Sequence, residues 1–428
     1  MSKARYDFEI LIVGAGPAGI AAACAAAEIG KRVGVVDVVQ APGGQIWLGP
    51  DACEHDRKSA KWLGRLERCG AKLFCGATVV AQLREDVLLV ETDEGSLELS
   101  WQKLVLATGA RELFLPFPGW TLPNVCGVGG LQALVKSGLP VSGKKIVVAG
   151  SGPLLFAVAD ALKKRGAEVR CIAEQAPLSR VMRFGSSLLS HPSKLWQSLH
   201  TSTRLVGVPY RTGCWPVRAE GLKRVEIATL TNGQKYWTEP CDYLACGFGL
   251  VPNVELPILF GCALRGGVVQ VNEQQETSVP RVFCAGEPTG VGGVDCALVE
   301  GEIAALTASG KSTETAVLFG QRRRWHAFRR ALNEAFRLRD ELKTIAAADT
   351  LVCRCEDVSF GRLREFSSWR EAKLQTRCGM GPCQGRICGG ATHILFGWDM
   401  ESVRPPVLPS CIETLATAGE LTEAKSVK

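Results

Sequence analysis

Five cysteines near the C-terminus have the spacing of metal ligands. They lie in Val352-Cys353-Arg354-Cys355-Glu356, a C-x-C pair, and in Thr376-Arg377-Cys378-Gly379-Met380-Gly381-Pro382-Cys383-Gln384-Gly385-Arg386-Ile387-Cys388. Four thiolates hold either an iron–sulfur cluster or a zinc ion, and free thiols are the third reading. The rest of the 18 cysteines, among them Cys24, Cys171, Cys246 and Cys284, mostly stand singly in apolar stretches and read as small hydrophobes.

A second kind of chemistry is written at the other end. Ile10 to Gly19 reads as an apolar strand, then G-x-G-x-x-G, then an Ala-rich helix. Gly14 allows the tight turn, Gly16 lets backbone N–H groups approach a pyrophosphate, and Gly19 permits close packing of helix on strand. A strand over 32–36 ends in Asp37, where a ribose hydroxyl is expected to donate. The bland alternative is a Gly-rich turn of some other α/β fold. Gly43, Gly44 and Gln45 form a turn suited to a cofactor ring system, and a buried strand over 103–107 ends in Thr108-Gly109-Ala110.

The pattern then repeats. A strand over 144–152 carries Gly150-Ser151-Gly152, a helix over 154–164 follows, and a strand over 168–173 ends in Glu174. Leu155 stands at the third glycine position, so three readings stay open for this unit: NAD, a structural adenine nucleotide, or an empty site. Glu174 in contact with a ribose would favour NAD over NADP. Residues 279–287 resemble the second FAD signature of flavoproteins with two dinucleotide-binding domains, with Gly286 followed by Glu287 where the usual acid is Asp. The helix expected from about Val294 to Leu306 directs its N-terminus at the flavin's pyrimidine edge in that family, which tunes the cofactor. On a chain with a flavin, a [2Fe–2S] centre explains the cysteines better than zinc, because it takes single electrons from a two-electron donor.

These elements predict an α/β chain with two Rossmann-like dinucleotide-binding domains and a small, mainly helical C-terminal domain. The expected organisation is 1–122 with 251–320 for FAD, 123–250 for the second nucleotide, 321–349 as a basic helical linker, and 350–428 for the cluster. Short strands over 78–83, 87–91 and 97–100 predict a meander, and Asn232-Gly233 predicts a hairpin. The 428 residues carry a net charge of +7, too modest for a nucleic-acid function without a recognition motif. The N-terminus has no signal-like apolar region and no run reaches a membrane span, so a cytoplasmic protein is expected. The five histidines form no acid–base constellation, and Cys53 stands alone near Gly44, which argues against a disulfide reductase. No catalytic residue is assigned.

Nearly the whole chain, and most specifically the CRCE and GMGPCQGRIC motifs at 353–356 and 379–388, resembles the α (A) subunits of heteromeric amino-acid dehydrogenases. That family includes opine oxidase, D-hydroxyproline dehydrogenase and hydrogen cyanide synthase, where the equivalent chain is the B subunit. The resemblance implies a terminal [2Fe–2S] module like that of bacterioferritin-associated ferredoxin. By motif its ligands are Cys353, Cys355, Cys383 and Cys388, with Cys378 an extra thiol and the rival of Cys383. It also implies a partner β subunit of the glycine-oxidase or D-amino-acid-oxidase type with its own FAD, a further small subunit, and FMN at the subunit interface. The implied role is electron transfer, with D-hydroxyproline, a related imino acid or an opine oxidised elsewhere. The alternative is a self-sufficient NAD(P)H-dependent flavin and iron–sulfur reductase.

Overall fold

The computed structural model describes residues 4–47, 57–399 and 403–416. They form two compact units: one from 1–111, 252–329 and the stretch after 401, the other from 112–251 and 330–400.

The first unit is built on β1 (Ala4–Val13), whose Ile10-Leu11-Ile12 run is wholly buried, as a strand covered on both faces requires. Burying each of these side chains stabilises the fold by about 1.5–3 kcal/mol. Helix α1 (Pro17–Glu28) follows, then β2 (Val33–Asp37), β3 (Lys72–Cys75), β4 (Thr78–Arg84), β5 (Val87–Thr92) and β6 (Gly95–Leu106). The sheet order is β3-β2-β1-β6-β5-β4, and a strand at Val282–Cys284 joins on β6. The sequence reading of two strands, 97–100 and 103–107, is corrected here. Trp101 and Gln102 interrupt neither, and β6 is one strand that pairs parallel with β1 and antiparallel with β5.

The second unit has its own parallel sheet of β7 (Val125–Gly127), β8 (Lys145–Gly150), β9 (Glu168–Glu174), β10 (Tyr210–Thr212) and β11 (Tyr243–Gly247), in the order β10-β9-β8-β11-β7. Helix α2 (Leu154–Lys164) crosses between β8 and β9, and α3 (Leu178–Ser187) and α4 (Pro192–Arg204) precede β10. Leu155 is fully buried beside Val148 and Ile172, so the third glycine position is filled by core. The Asn232 hairpin forms as expected, with Oδ1 of Asn232 accepting from the N–H groups of Gln234 and Lys235.

The chain then returns through α5 (Val294–Ala308) and α6 (Ala316–Ala335). Small residues let α1 and α5 meet: a Cβ on Gly301 would sit 2.1 Å from the Ala18 carbonyl oxygen. Helix α6 starts before the expected basic stretch and stops at Ala335. Beyond it the carbonyls of Phe336 and Arg337 accept side-chain hydrogen bonds from Ser151 and Gln175, and a 3-10 turn runs from Asp340 to Thr344. The cysteine-bearing segment has a small core of Val352, Leu363, Trp369, Ala372 and Ala391, and groups with 112–251 in the second unit. Residues 403–416 return to the first unit, where Val407 N–H donates to the Val80 carbonyl.

Candidate functional site

The first glycine loop has the shape a pyrophosphate needs. Gly14 has φ +108°, and a Cβ there would sit 2.2 Å from the Ala107 carbonyl oxygen; on Gly19 it would sit 1.7 Å from the Gly14 oxygen. Both positions are closed by packing. Gly16 differs, since a Cβ would meet only the Gly44 Cα at 3.9 Å, so this glycine faces open space. The carboxylate of Asp37 accepts from the N–H groups of Ala15 and Val39 and so fixes the loop that it borders. Gly43, at φ +130°, donates to the Ala15 carbonyl and folds its turn against the loop, leaving Gln45 exposed. Thr108 and Asn253 exchange hydrogen bonds of 2.6 and 2.8 Å, and Asn253 N–H donates to the Gly109 carbonyl. These residues fit FAD.

At Gly286, φ +80° turns the chain out of its strand. The Glu287 carboxylate accepts from Gly292 N–H at 3.2 Å and Gly293 N–H at 3.0 Å, and burial pushes its pKa up to about 7. A second acid, missed in the sequence, stands behind this turn. Glu300 on α5 is fully buried and accepts from Gly286 N–H (2.9 Å), the Thr289 hydroxyl (3.0 Å) and Cys296 Sγ (3.4 Å), and it pairs with His326 Nε2 (2.8 Å). Burial alone would raise its pKa, yet the His326 hydrogen bond and the Arg329 charge outweigh burial and hold it low. Arg329 also donates to the carbonyls of Thr289 and Gly290. His326 and Arg329 of the basic helix therefore support the turn that carries the second flavin signature, a structural role that the linker reading of this stretch did not include. The sequence signal was faint: Cys296 and Glu300 one helical turn apart, and His326 and Arg329 at i, i+3.

The second glycine loop is covered. Glu174 is fully buried, its oxygens accepting from Gly152 N–H at 2.7 Å and Ala176 N–H at 2.8 Å, and burial raises its pKa to about 7. Ser151 Oγ donates to the Phe336 carbonyl at 3.0 Å, and the Phe336 ring lies 3.8 Å from where a Gly152 Cβ would stand. Gln175 binds this segment from the other side. Its amide nitrogen reaches Ser151 Oγ and the carbonyls of Phe336 and Arg337, and its oxygen accepts from Arg339 N–H. The cradle for a second pyrophosphate is thus bonded to residues 336–339 of the same chain.

The five cysteines of the two motifs converge, and Cys411 lies apart from them. The Sγ atoms of Cys353, Cys378 and Cys388 lie within 4.8 Å of one another and are buried. Cys383 lies beside Cys388 and Cys355, and Cys355 is exposed. Hydrogen bonds from Cys378 and Cys388 hold the Cys353 sulfur well below the usual thiol range, whereas Cys388, bonded to Cys353, Cys378 and Cys383, is pushed far above it. Sulfurs gathered this closely suit a cationic centre, which they bind as thiolates. The convergence includes Cys378, so it fits either choice of four. A cavity of 510 Å³ opens beside Cys353, Cys355, Cys383 and Cys388, walled by Trp120 and Glu112. Trp120 Nε1 donates to the Leu351 carbonyl at 2.6 Å, which ties the strand bearing Cys353 to the nucleotide-type fold of the same unit. Cys53 lies outside the described residues.

Comparison with known proteins agrees with this architecture. The sequence profile of the family described as pyridine nucleotide-disulphide oxidoreductase matches residues 8–317. Hydrogen cyanide synthase subunit HcnB of Pseudomonas aeruginosa is 31% identical, over 89% of this chain and 90% of that protein. An opine oxidase subunit of Rhizobium meliloti is 30% identical, over 97% and 88%. The crystal structure of L-proline dehydrogenase from P. horikoshii superposes with a TM-score of 0.70 at 19% identity, over 97% of this chain and 80% of that one, a likeness of fold.

Proposed function

The chain belongs to the pyridine nucleotide-disulphide oxidoreductase family, and from that premise we propose that it is the electron-transfer subunit of a heteromeric amino-acid or imino-acid dehydrogenase. Its substrate, D-hydroxyproline, a related imino acid or an opine, is oxidised in a partner of the glycine-oxidase or D-amino-acid-oxidase type. As a member of this flavin-dependent family the chain is an oxidoreductase that uses FAD. Its FAD supplies two-electron chemistry, and a [2Fe–2S] cluster the one-electron step onward.

The observation that carries the reading is the covered second cradle. In a self-sufficient reductase, Gly150–Gly152 and Glu174 would receive a nicotinamide dinucleotide; here Phe336, Gln175 and Ser151 hold that place with hydrogen bonds. Electrons then enter from another protein. The remaining roles follow from the chain's own groups. Gly16 leaves room for the pyrophosphate, Asp37 presents a carboxylate to the ribose, and Glu300 holds the Gly286 turn in place. Cys353, Cys355, Cys383 and Cys388 are the proposed cluster ligands, close to Cys378. The subunit names of the two curated relatives support the same assignment.

The test mixes anaerobic purified chain with excess NADH, and separately assays it with a co-produced oxidase-type companion. D-hydroxyproline, D-proline, opines and glycine are supplied with an artificial electron acceptor. No flavin bleaching by NADH, together with turnover only in the complex, is expected. Rapid bleaching by NADH, or robust turnover by the lone chain, would overturn the proposal.

A further inference from the structure

Glu287 is partly buried and its carboxylate has no counter-ion. Among the described residues no Lys, Arg or His forms an ion pair with it, whereas its acidic neighbours on α5 are paired, Glu300 with His326 and Arg329 and Asp295 with Lys58. A carboxylate withdrawn from water is costly unless hydrogen bonds hold it. Here the backbone holds both oxygens: Oε1 accepts from Gly293 N–H and Oε2 from Gly292 N–H. The donors lie just before α5, with Gly293 at its N-cap position and φ +78°. A helix start leaves N–H groups without partners, and its positive end favours a negative charge. The two bonds close residues 287–293 into a ring. Arg329 fastens the same ring by donating to the carbonyls of Thr289 and Gly290. Gly286, one residue earlier, packs on the helix of the first glycine loop: a Cβ there would sit 2.8 Å from Ala18 Cβ.

We propose that Glu287 is a positioning residue that does not reach for the FAD: it turns back to close the 287–293 ring and fixes a negative charge beside the cradle, which favours oxidised over reduced flavin. The inference goes beyond the proposed function, since it holds whichever protein supplies the electrons. Side-chain length carries its first part. Asp is shorter by one methylene, a bond of ~1.5 Å. The hydrogen bonds of 3.2 and 3.0 Å leave no slack for a shorter acid to span both Gly292 and Gly293. Charge carries the second part. Reduction places negative charge on the flavin ring, and a carboxylate need not touch the ring to oppose it. At an effective dielectric constant of about 20, a unit charge ~12 Å away shifts such an equilibrium about tenfold. Glu300 and Asp295 contribute less, because His326, Arg329 and Lys58 offset them.

The experiment compares the purified wild-type chain with Glu287→Gln and Glu287→Asp at pH 8, above the value of about 7 to which burial raises this carboxyl. It measures FAD affinity, the flavin midpoint potential by anaerobic dye-coupled titration, and deuterium exchange over 288–298. Glu287→Gln keeps the shape and loses the charge. Reduced FAD is therefore expected to gain at least tenfold on oxidised FAD, a positive shift of about 30 mV for a two-electron couple. Glu287→Asp keeps the charge and loses the ring, so faster exchange over 288–298 and at least tenfold weaker FAD binding are expected. A packing role alone would leave the potential of the Gln variant unmoved, and that result would overturn the proposal. So would a Glu287→Asp chain with wild-type exchange that binds FAD as tightly as wild type, because the acid would then act by reaching the cofactor. If either variant holds too little FAD to titrate, exchange in the FAD-free chains decides: equal rates over 288–298 in wild type and Glu287→Asp would overturn the ring.

Discussion

Replacing Glu300 by Ala tests the least expected part of the flavin site. The substitution removes the acceptor of two buried donors, Gly286 N–H and the Thr289 hydroxyl, and strips His326 and Arg329 of their common anion. Each of the two orphaned donors costs about 1–3 kcal/mol, and breaking a buried pair from one side costs about 3–5 kcal/mol, so the total is expected at about 5 kcal/mol, the low end of their sum. That is a large part of the ~5–15 kcal/mol that holds a domain folded. Urea unfolding followed by tryptophan fluorescence, with flavin release measured in parallel, reads both consequences. Glu300→Gln keeps the shape and one acceptor and should cost about half as much. The sign of the pH effect follows from the low folded pKa. Glu300 contributes stability above its unfolded value of 4.5, and that contribution is lost as pH falls through the folded pKa. Acid sensitivity below 4.5 should therefore be blunted in the Ala variant. An Ala variant within about 1 kcal/mol of wild type, with full flavin, would refute the reasoning.

Three further outcomes are expected. Gly16→Val should abolish FAD binding, because a branched side chain fills the open space that the loop keeps; flavin released by heating and separated by chromatography measures it. About two irons and two sulfides per chain are expected, with a paramagnetic signal on reduction. Cys383→Ala should remove them and Cys378→Ala should spare them; the reverse result would exchange the two residues, and zinc without such a signal would remove the cluster altogether. Glu174, with its pKa raised to about 7 by burial, favours the folded state below 4.5 and loses that contribution as pH rises to about 7. Glu174→Gln should remove up to roughly 3 kcal/mol of that decline, measured by chemical denaturation at pH 5 and pH 8.

Much of the first cradle was legible because its physics is local. Gly14, Gly16 and Gly19 are spaced by one turn and one helical step, and Asp37 closes the next strand, so sequence order and spatial order coincide. The hidden parts are those where distant segments meet. Glu300 lies on a helix that also carries Asp295 and Glu302, so nothing local singles it out, and only the fold brings His326 and Arg329 to it. The cover on Gly150–Gly152 was equally silent, since Phe336 fits the helical period of its aromatic neighbours and no local signal says that α6 ends before it. Leu155 did mark the second cradle as atypical. For the cysteines, spacing suggested a metal site, but C-x-C and C-x4-C patterns do not reveal that Cys378 folds in against Cys353 and Cys388. The two expected strands are one in β6 because Trp101 and Gln102, between them, carry no strand-breaking chemistry.

The strand Val282–Cys284 has to find β6 after the whole of 112–251 has been synthesised in between. A flexible loop of that length would make the search slow. The Leu113 N–H bonded to the Gly249 carbonyl shortens it by holding the insert's two ends together. Within the first unit, Asn253 bonded at Thr108 and Gly109 clasps the two places where the chain leaves and returns. The order of assembly is then set by the ribosome. The meander and β1–β6 emerge early but lack one strand, the insert follows, and only then is Val282–Cys284 made, with the Gly286 turn next in the chain. A nascent chain stopped before Val282 would hold every strand of the insert's sheet but lack one of the first unit's, so the flavin cradle can be completed only after the insert has been made.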